Sequence, residues 1–229
     1  MTAIAPTFPA IRRGWGRWFD SLGVMLRWQL TTLRNIVPLI IVVQILFGVG
    51  FAVGMGLFFP MMTEEIALYL ATGAATVTLI TVGIVLGPQL VASEKEDGTY
   101  DFTWSLPVPR TATTAAWVVV NALFALPGAI AALLVAAWRY QIEYDVSWMV
   151  VPAVGLTLAA ATLIGYAFAH AIPSPGITVL ATQVLVFGIL GFTPINYPPE
   201  NLPTWLAEVH RLLPFYPMGV VIRESLGVT

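Results

Sequence analysis

The chain contains no cysteine, which excludes disulfides, thiolate zinc centres, iron–sulfur clusters and cysteine nucleophiles at the outset. Charge is also scarce: 10% of the 229 residues are charged, against about 25% in ordinary globular domains. Ten basic and twelve acidic side chains leave a formal net charge of −2. The chain therefore lacks the basic excess that holds nucleic-acid phosphates, and nucleic acid is excluded as a partner class. A single lysine, Lys95, sits between Glu94 and Glu96. It does not close a glycine-rich Gly-Lys-Ser/Thr turn, so this chain has no phosphate-cradling loop of its own. The two histidines, His170 and His210, are predicted on opposite faces of a membrane and cannot together make a metal site or a triad. His170 is expected to pack at the end of a span, and His210 to lie on the surface of an outer helix. No paired carboxylates, nucleophile–base pair or metal-ligand cluster falls within the apolar stretches, so neither catalysis nor a metal is expected here.

What the chain has in abundance is apolar length. Hydrophobic residues make up 58% of it, and the charges that remain divide it into long uncharged runs. These run for 29 residues between Arg34 and Glu64, 28 between Glu65 and Glu94, and 28 between Arg110 and Arg139. A further 54 separate Asp145 from Glu200. A helix needs about 20 apolar residues to cross a hydrocarbon core, so each of the first three runs holds one crossing. The fourth holds two, joined by a turn at Ile172-Pro173-Ser174-Pro175-Gly176. The expected fold is an all-α polytopic bundle forming a single transmembrane domain over 1–229. Its spans are predicted near 36–59, 66–91, 113–137, 147–171 and 176–194. The runs lack the alternation of barrel strands, which favours helices. Arg12, Arg13, Arg17, Arg27, Arg34, Lys95 and Arg110 would lie on one side, against Arg139, Arg211 and Arg223 on the other. The positive-inside rule then predicts a cytoplasmic N-terminus in the plasma membrane.

Residues 11–34 read as an amphipathic helix in the membrane interface rather than a signal peptide, because arginines and tryptophans interleave where an apolar core would be. Trp15, Trp18, Leu22, Leu26, Leu30 and Leu33 form its apolar side, with Arg13, Arg17, Asp20, Arg27 and Arg34 opposite. Residues 195–229, rich in proline, read as an outer loop with short helices. Small residues at four-residue spacing predict close helix packing, at Gly48, Ala52 and Gly56, beside Gly50 and Gly54, and again at Ala161, Gly165 and Ala169. Pro127 and Pro152 are expected to kink the third and fourth spans. The uncharged spans argue against ion-coupled carriers and voltage sensors, which need ionisable groups in the bilayer. Their polar side chains, among them Gln44, Thr72, Thr76, Asn121 and Gln183, read first as interhelical glue and second as a candidate path for an uncharged, hydrophobic or amphipathic cargo.

The loop between the second and third spans carries Glu94, Lys95, Glu96, Asp97, Gly98 and Thr99. It ends in a proline pair before Arg110, which suggests a shaped contact surface. With its Glu-x-Glu-x-Gly-Thr pattern (Glu94, Glu96, Gly98, Thr99) and the following Leu106-Pro107 and Arg110, the chain resembles the membrane permease subunits of type-2 ATP-binding-cassette (ABC) exporters. Two later elements carry the same resemblance, Leu202-Pro203 with Trp205-Leu206, and Leu213-Pro214 with Tyr216.

The resemblance implies a drug-, antibiotic- or lipid-exporting permease that works as a dimer with a second copy or paralogue. Separate nucleotide-binding subunits would hold ATP and Mg, and no cofactor would lie on this chain. It further implies that residues 94–99 and Arg110 meet the ATPase, braced by the interfacial helix at Arg13, Trp15, Arg17, Trp18 and Arg27. Family members have a sixth span, which would follow the five counted here. A different class, a non-transporting membrane scaffold recruiting a partner through the 93–101 loop, fits the same residues. Co-purification with an ATPase that responds to a hydrophobic compound separates the two.

Overall fold

The computed structural model describes residues 14–59, 61–198 and 202–228. Among these the chain is helical, without a strand, and five of its helices are long and apolar enough to cross a membrane. The first helix, α1 (Trp15–Leu33), forms as the pattern predicts, but its buried face differs. Met25, Gln29 and Leu33 are buried while Leu30 is exposed. The reason is the neighbour: α1 packs along α6 (Arg110–Tyr140), and the i, i+4 line through Met25 meets it. Arg13 lies outside the described residues.

Helix α2 (Val37–Gly56) starts with Pro38 in its first turn, where no backbone donor is needed. Helix α3 (Glu64–Thr81) is capped by Thr63, whose Oγ1 accepts from the Ile66 amide, and it places Glu64 and Glu65 against the positive end of the helix dipole. Every residue from Leu70 to Ile80 is buried. A helix apolar all round belongs inside, and α3 accordingly forms the axis of the bundle, contacted by α2, α6, α7 (Val150–Ala171) and α10 (Phe215–Ser225). The threonines along it satisfy themselves locally, as where Thr76 and Thr78 donate to Thr72 and Ala74 carbonyls at 2.8 Å.

The predicted second span is one continuous helical rod, Glu64–Glu96, interrupted by a π-turn at Val82–Leu86 before α4 (Gly87–Glu96). The Gly87 amide reaches back five residues to the Val82 carbonyl. Pro88 explains the break in register, because its ring would strike the carbonyl four residues earlier, and a widened turn ahead of it removes the clash. The π-turn also brings the backbone against α7. A Cβ on Gly83 would stand 2.6 Å from the Thr162 amide, and one on Gly165 would meet the Gly83 carbonyl. Ala161 and Gly165 of the expected seam therefore pack on this turn, while the Ala169 carbonyl meets Lys95 of α4 instead.

Gly48 of α2 and Gly128 of α6 form a second close approach, where a Cβ on Gly48 would stand 2.5 Å from the Gly128 carbonyl. Gly50 and Gly54 face open space instead. Pro127 lies inside α6 as expected. Pro152, in contrast, is the third residue of α7, so its missing amide belongs to the first turn, which has no intrahelical acceptor to lose, and it does not act as an interior helix breaker. Helix α5 (Thr99–Ser105) follows α4. Helix α8 (Pro175–Phe192) follows α7 after a break at 172–174. Helices α9 (Thr204–Leu212) and α10 close the end of the bundle opposite α1.

Candidate functional site

At the α1 end the rod terminates in a sharp elbow. Gly98 takes φ 71°, a left-handed conformation that L side chains avoid, and thereby turns α4 into α5. The Asp97 amide bonds the Ser93 carbonyl at 2.9 Å, and Thr99 Oγ1 donates to the Glu94 carbonyl at 3.3 Å. Glu96, Asp97, Gly98 and Thr99 are exposed at the tip, whereas Glu94 is half-buried.

Lys95 turns away from this tip. Its ammonium donates to the Ala169 carbonyl at 2.6 Å and the Ile172 carbonyl at 2.8 Å, satisfying the last turn of α7 and complementing its dipole. Arg110 is likewise engaged within the chain. Its guanidinium stacks 3.6 Å from the Trp104 ring and donates to the Trp104 carbonyl at 2.9 Å, so it holds α5 rather than an acidic side chain. Helix α1 braces the same region, with Arg17 donating to the Pro107 carbonyl at 2.8 Å and Trp18 Nε1 to Thr111 Oγ1 at 3.0 Å. Trp15 and Arg27 remain exposed. His170 packs among Tyr166, Tyr100 and Trp104 where α7 ends, as its position in the sequence predicted.

The elbow, the rod and the helices behind it fall within a stretch, residues 55–226, that matches the family model for ABC-2 family transporter proteins. The chain belongs to the ABC-2 transporter family. Neither a curated protein nor a solved structure matches it. This ABC-2 chain is an integral membrane permease of the ABC transporter type, a family of membrane subunits that lack their own ATPase domain and usually work with an ATPase subunit. Among the described residues no group of three or more His, Asp or Glu could hold a metal ion.

The opposite end of the permease holds a polar cluster that charge counting passed over. Arg223 of α10, treated from sequence as an aqueous loop charge, is 7% exposed. Its guanidinium lies 3.4 Å from the Tyr69 ring of α3 and donates to the Ile195 carbonyl at 2.7 Å, while its Nε has no partner. One cation thus ties α10 to the α3 rod and to the segment after α8.

His210 is not on the surface either. It is 6% exposed, with Nδ1 3.4 Å from Thr193 Oγ1, because α9 folds back onto the end of α8. Burial pushes its pKa below the usual 6.5.

The candidate path residues lie on four helices, α2, α3, α6 and α8. Gln44 and Asn121 are buried with Oε1 and Oδ1 unpaired. Asn121 Nδ2 donates across to Thr162 Oγ1 at 3.1 Å, and Thr72 bonds its own helix. Gln183 is half-buried on α8. An apolar cavity of about 440 Å³ between α3, α6, α7 and α10 is lined by none of them.

Proposed function

We propose that this permease is the transmembrane half of an ATP-driven exporter, carrying a hydrophobic or amphipathic small molecule out of the cytoplasm by alternating access. Two copies, or this chain and a paralogue, enclose the path, and the α1 end faces the cytoplasm and the ATPase. The observation that carries this reading is the 33-residue rod Glu64–Glu96, about 50 Å long at 1.5 Å per residue. One end presents the exposed tip Glu96, Asp97, Gly98 and Thr99, and the other meets Arg223 through Tyr69. A rigid element contacting a partner at one end and the outer helices at the other can pass a displacement between them, provided the partner's contacts differ in two states. The family membership supports the ATPase as that partner, and the uncharged spans support an uncharged or amphipathic path.

Charge reversal at the exposed Glu96, written Glu96→Lys, tests the tip. The expected result is a permease that inserts and purifies as the wild type does but whose ATPase no longer accelerates with cargo. Cargo-stimulated hydrolysis equal to wild type would remove the tip from the coupling surface.

A further inference from the structure

A second cavity, of about 280 Å³, opens between α1, the end of α4 and α6. We propose that it binds an amphipathic organic cation, a primary or secondary ammonium carried on an apolar chain. Its walls combine three features that such a molecule needs. Trp28 and Trp117 supply aromatic faces, which attract a cation through the ring quadrupole. Leu33 and Leu90 supply apolar surface for the chain. Glu94 supplies a half-buried carboxylate.

That carboxylate has no basic partner among the described residues. The adjacent Lys95 is spent on the Ala169 and Ile172 carbonyls, and Arg110 on Trp104. A carboxylate taken partly out of water without a counter-charge is costly, and a bound ammonium removes that cost.

Gln29 is the independent observation. It lines the same cavity, is 5% exposed, and its Oε1 has no hydrogen-bond partner. Oε1 itself is closed off and Nε2 is the accessible end of the amide, so a ligand meets the acceptor once the amide turns over; a primary or secondary ammonium can then donate an N–H to it and a quaternary one cannot. A polar residue on the face of α1 that packs inward, in a line otherwise of Met25 and Leu33, is thereby given a use.

The site deepens the export reading by naming a cargo class, and it rests on that reading for its role in transport, although not for binding. The test is made on the full chain in nanodiscs of phosphatidylcholine, without ATPase. Equilibrium dialysis there follows 4-phenylbutylammonium, its neutral alcohol counterpart 4-phenylbutanol, and the N-trimethylated analogue. Saturable binding of the ammonium at one site per chain is expected, weakened about tenfold or more by Glu94→Gln and retained by Glu94→Asp, which keeps the charge. Gln29→Leu should weaken the ammonium and leave the trimethylated analogue unchanged. Because Glu94→Asp and the analogue are measured on the same preparations, a misfolded variant cannot imitate this pattern.

Replacing part of the lipid by phosphatidylethanolamine, whose headgroup has the same ammonium chemistry, distinguishes the source. Competition by that lipid assigns the site to a headgroup, and its absence assigns the site to a soluble amphiphile. Equal affinity of wild type and Glu94→Gln, or alcohol binding as tight as the ammonium, overturns the proposal and leaves the export reading intact. Ammonium binding with the expected variants but no ATP-driven transport by the complex would overturn the export reading and leave the site.

Discussion

Gly98 shows how far one residue determines the elbow. No atom lies within 4 Å of where its Cβ would be, so space is free and the constraint is the backbone angle alone, φ 71°. Gly98→Ala is therefore expected to cost about 1–2 kcal/mol, the left-handed penalty of an L residue, and to lower the thermal unfolding midpoint in detergent without displacing a neighbour. His210 offers a pH test with a definite sign. Its folded pKa lies below 6.5, so the open form binds more protons than the docked form at pH values below 6.5. The docking of α9 is then fully stable above that value and weakens as the pH falls. Fluorescence of Trp205, exposed on α9, should change on acidification from pH 7.5 to 5.5, and the change should vanish in His210→Gln. The bend at Gly98 was legible in the sequence because glycine after a charged helical run has few other uses. The burial of His210 was not, because an amphipathic helix of nine residues does not say which neighbour it folds against.

Among the elements, the π-turn Val82–Leu86 is packed backbone to backbone against α7. Gly83→Ala would put a Cβ 2.6 Å from the Thr162 amide, between two backbones that cannot rotate away. Overpacking of this kind costs about 1–3 kcal/mol. A drop in the unfolding midpoint is expected for Gly83→Ala, and none for Gly50→Ala or Gly54→Ala, whose positions are open. All three glycines lie in apolar helices and look alike in sequence. Small-residue spacing reveals that a helix has a seam but not which face is the seam, since Gly48 packs on Gly128 while Gly50, two residues on, faces away. The π-turn had a signal that could have been used, Pro88 inside an apolar run, whereas Pro152 shows the opposite hazard: a proline counted as interior falls in a first turn.

Across the whole molecule the five candidate spans among the described residues call for a test of orientation. The chain has no cysteine, so a single introduced thiol reports one place. Thr99→Cys, exposed at the elbow, should react with a membrane-impermeant maleimide only after cells are opened, and Trp205→Cys should react in intact cells. The reverse pattern would invert the proposed topology. The number of candidate spans and their all-helical nature were determined by the sequence by itself, because a bilayer forces every backbone donor to be satisfied within its own helix and makes apolar length readable one segment at a time. Which helix forms the axis was decided only by the tertiary structure. So were the burial of Arg223 against Tyr69, the use of Lys95 as a cap on α7, and the enclosure of Gln29 and Glu94 in one cavity. Each of these depends on residues far apart in the chain meeting across helices, and a charge or an amide in a sequence carries no mark of what will lie opposite it.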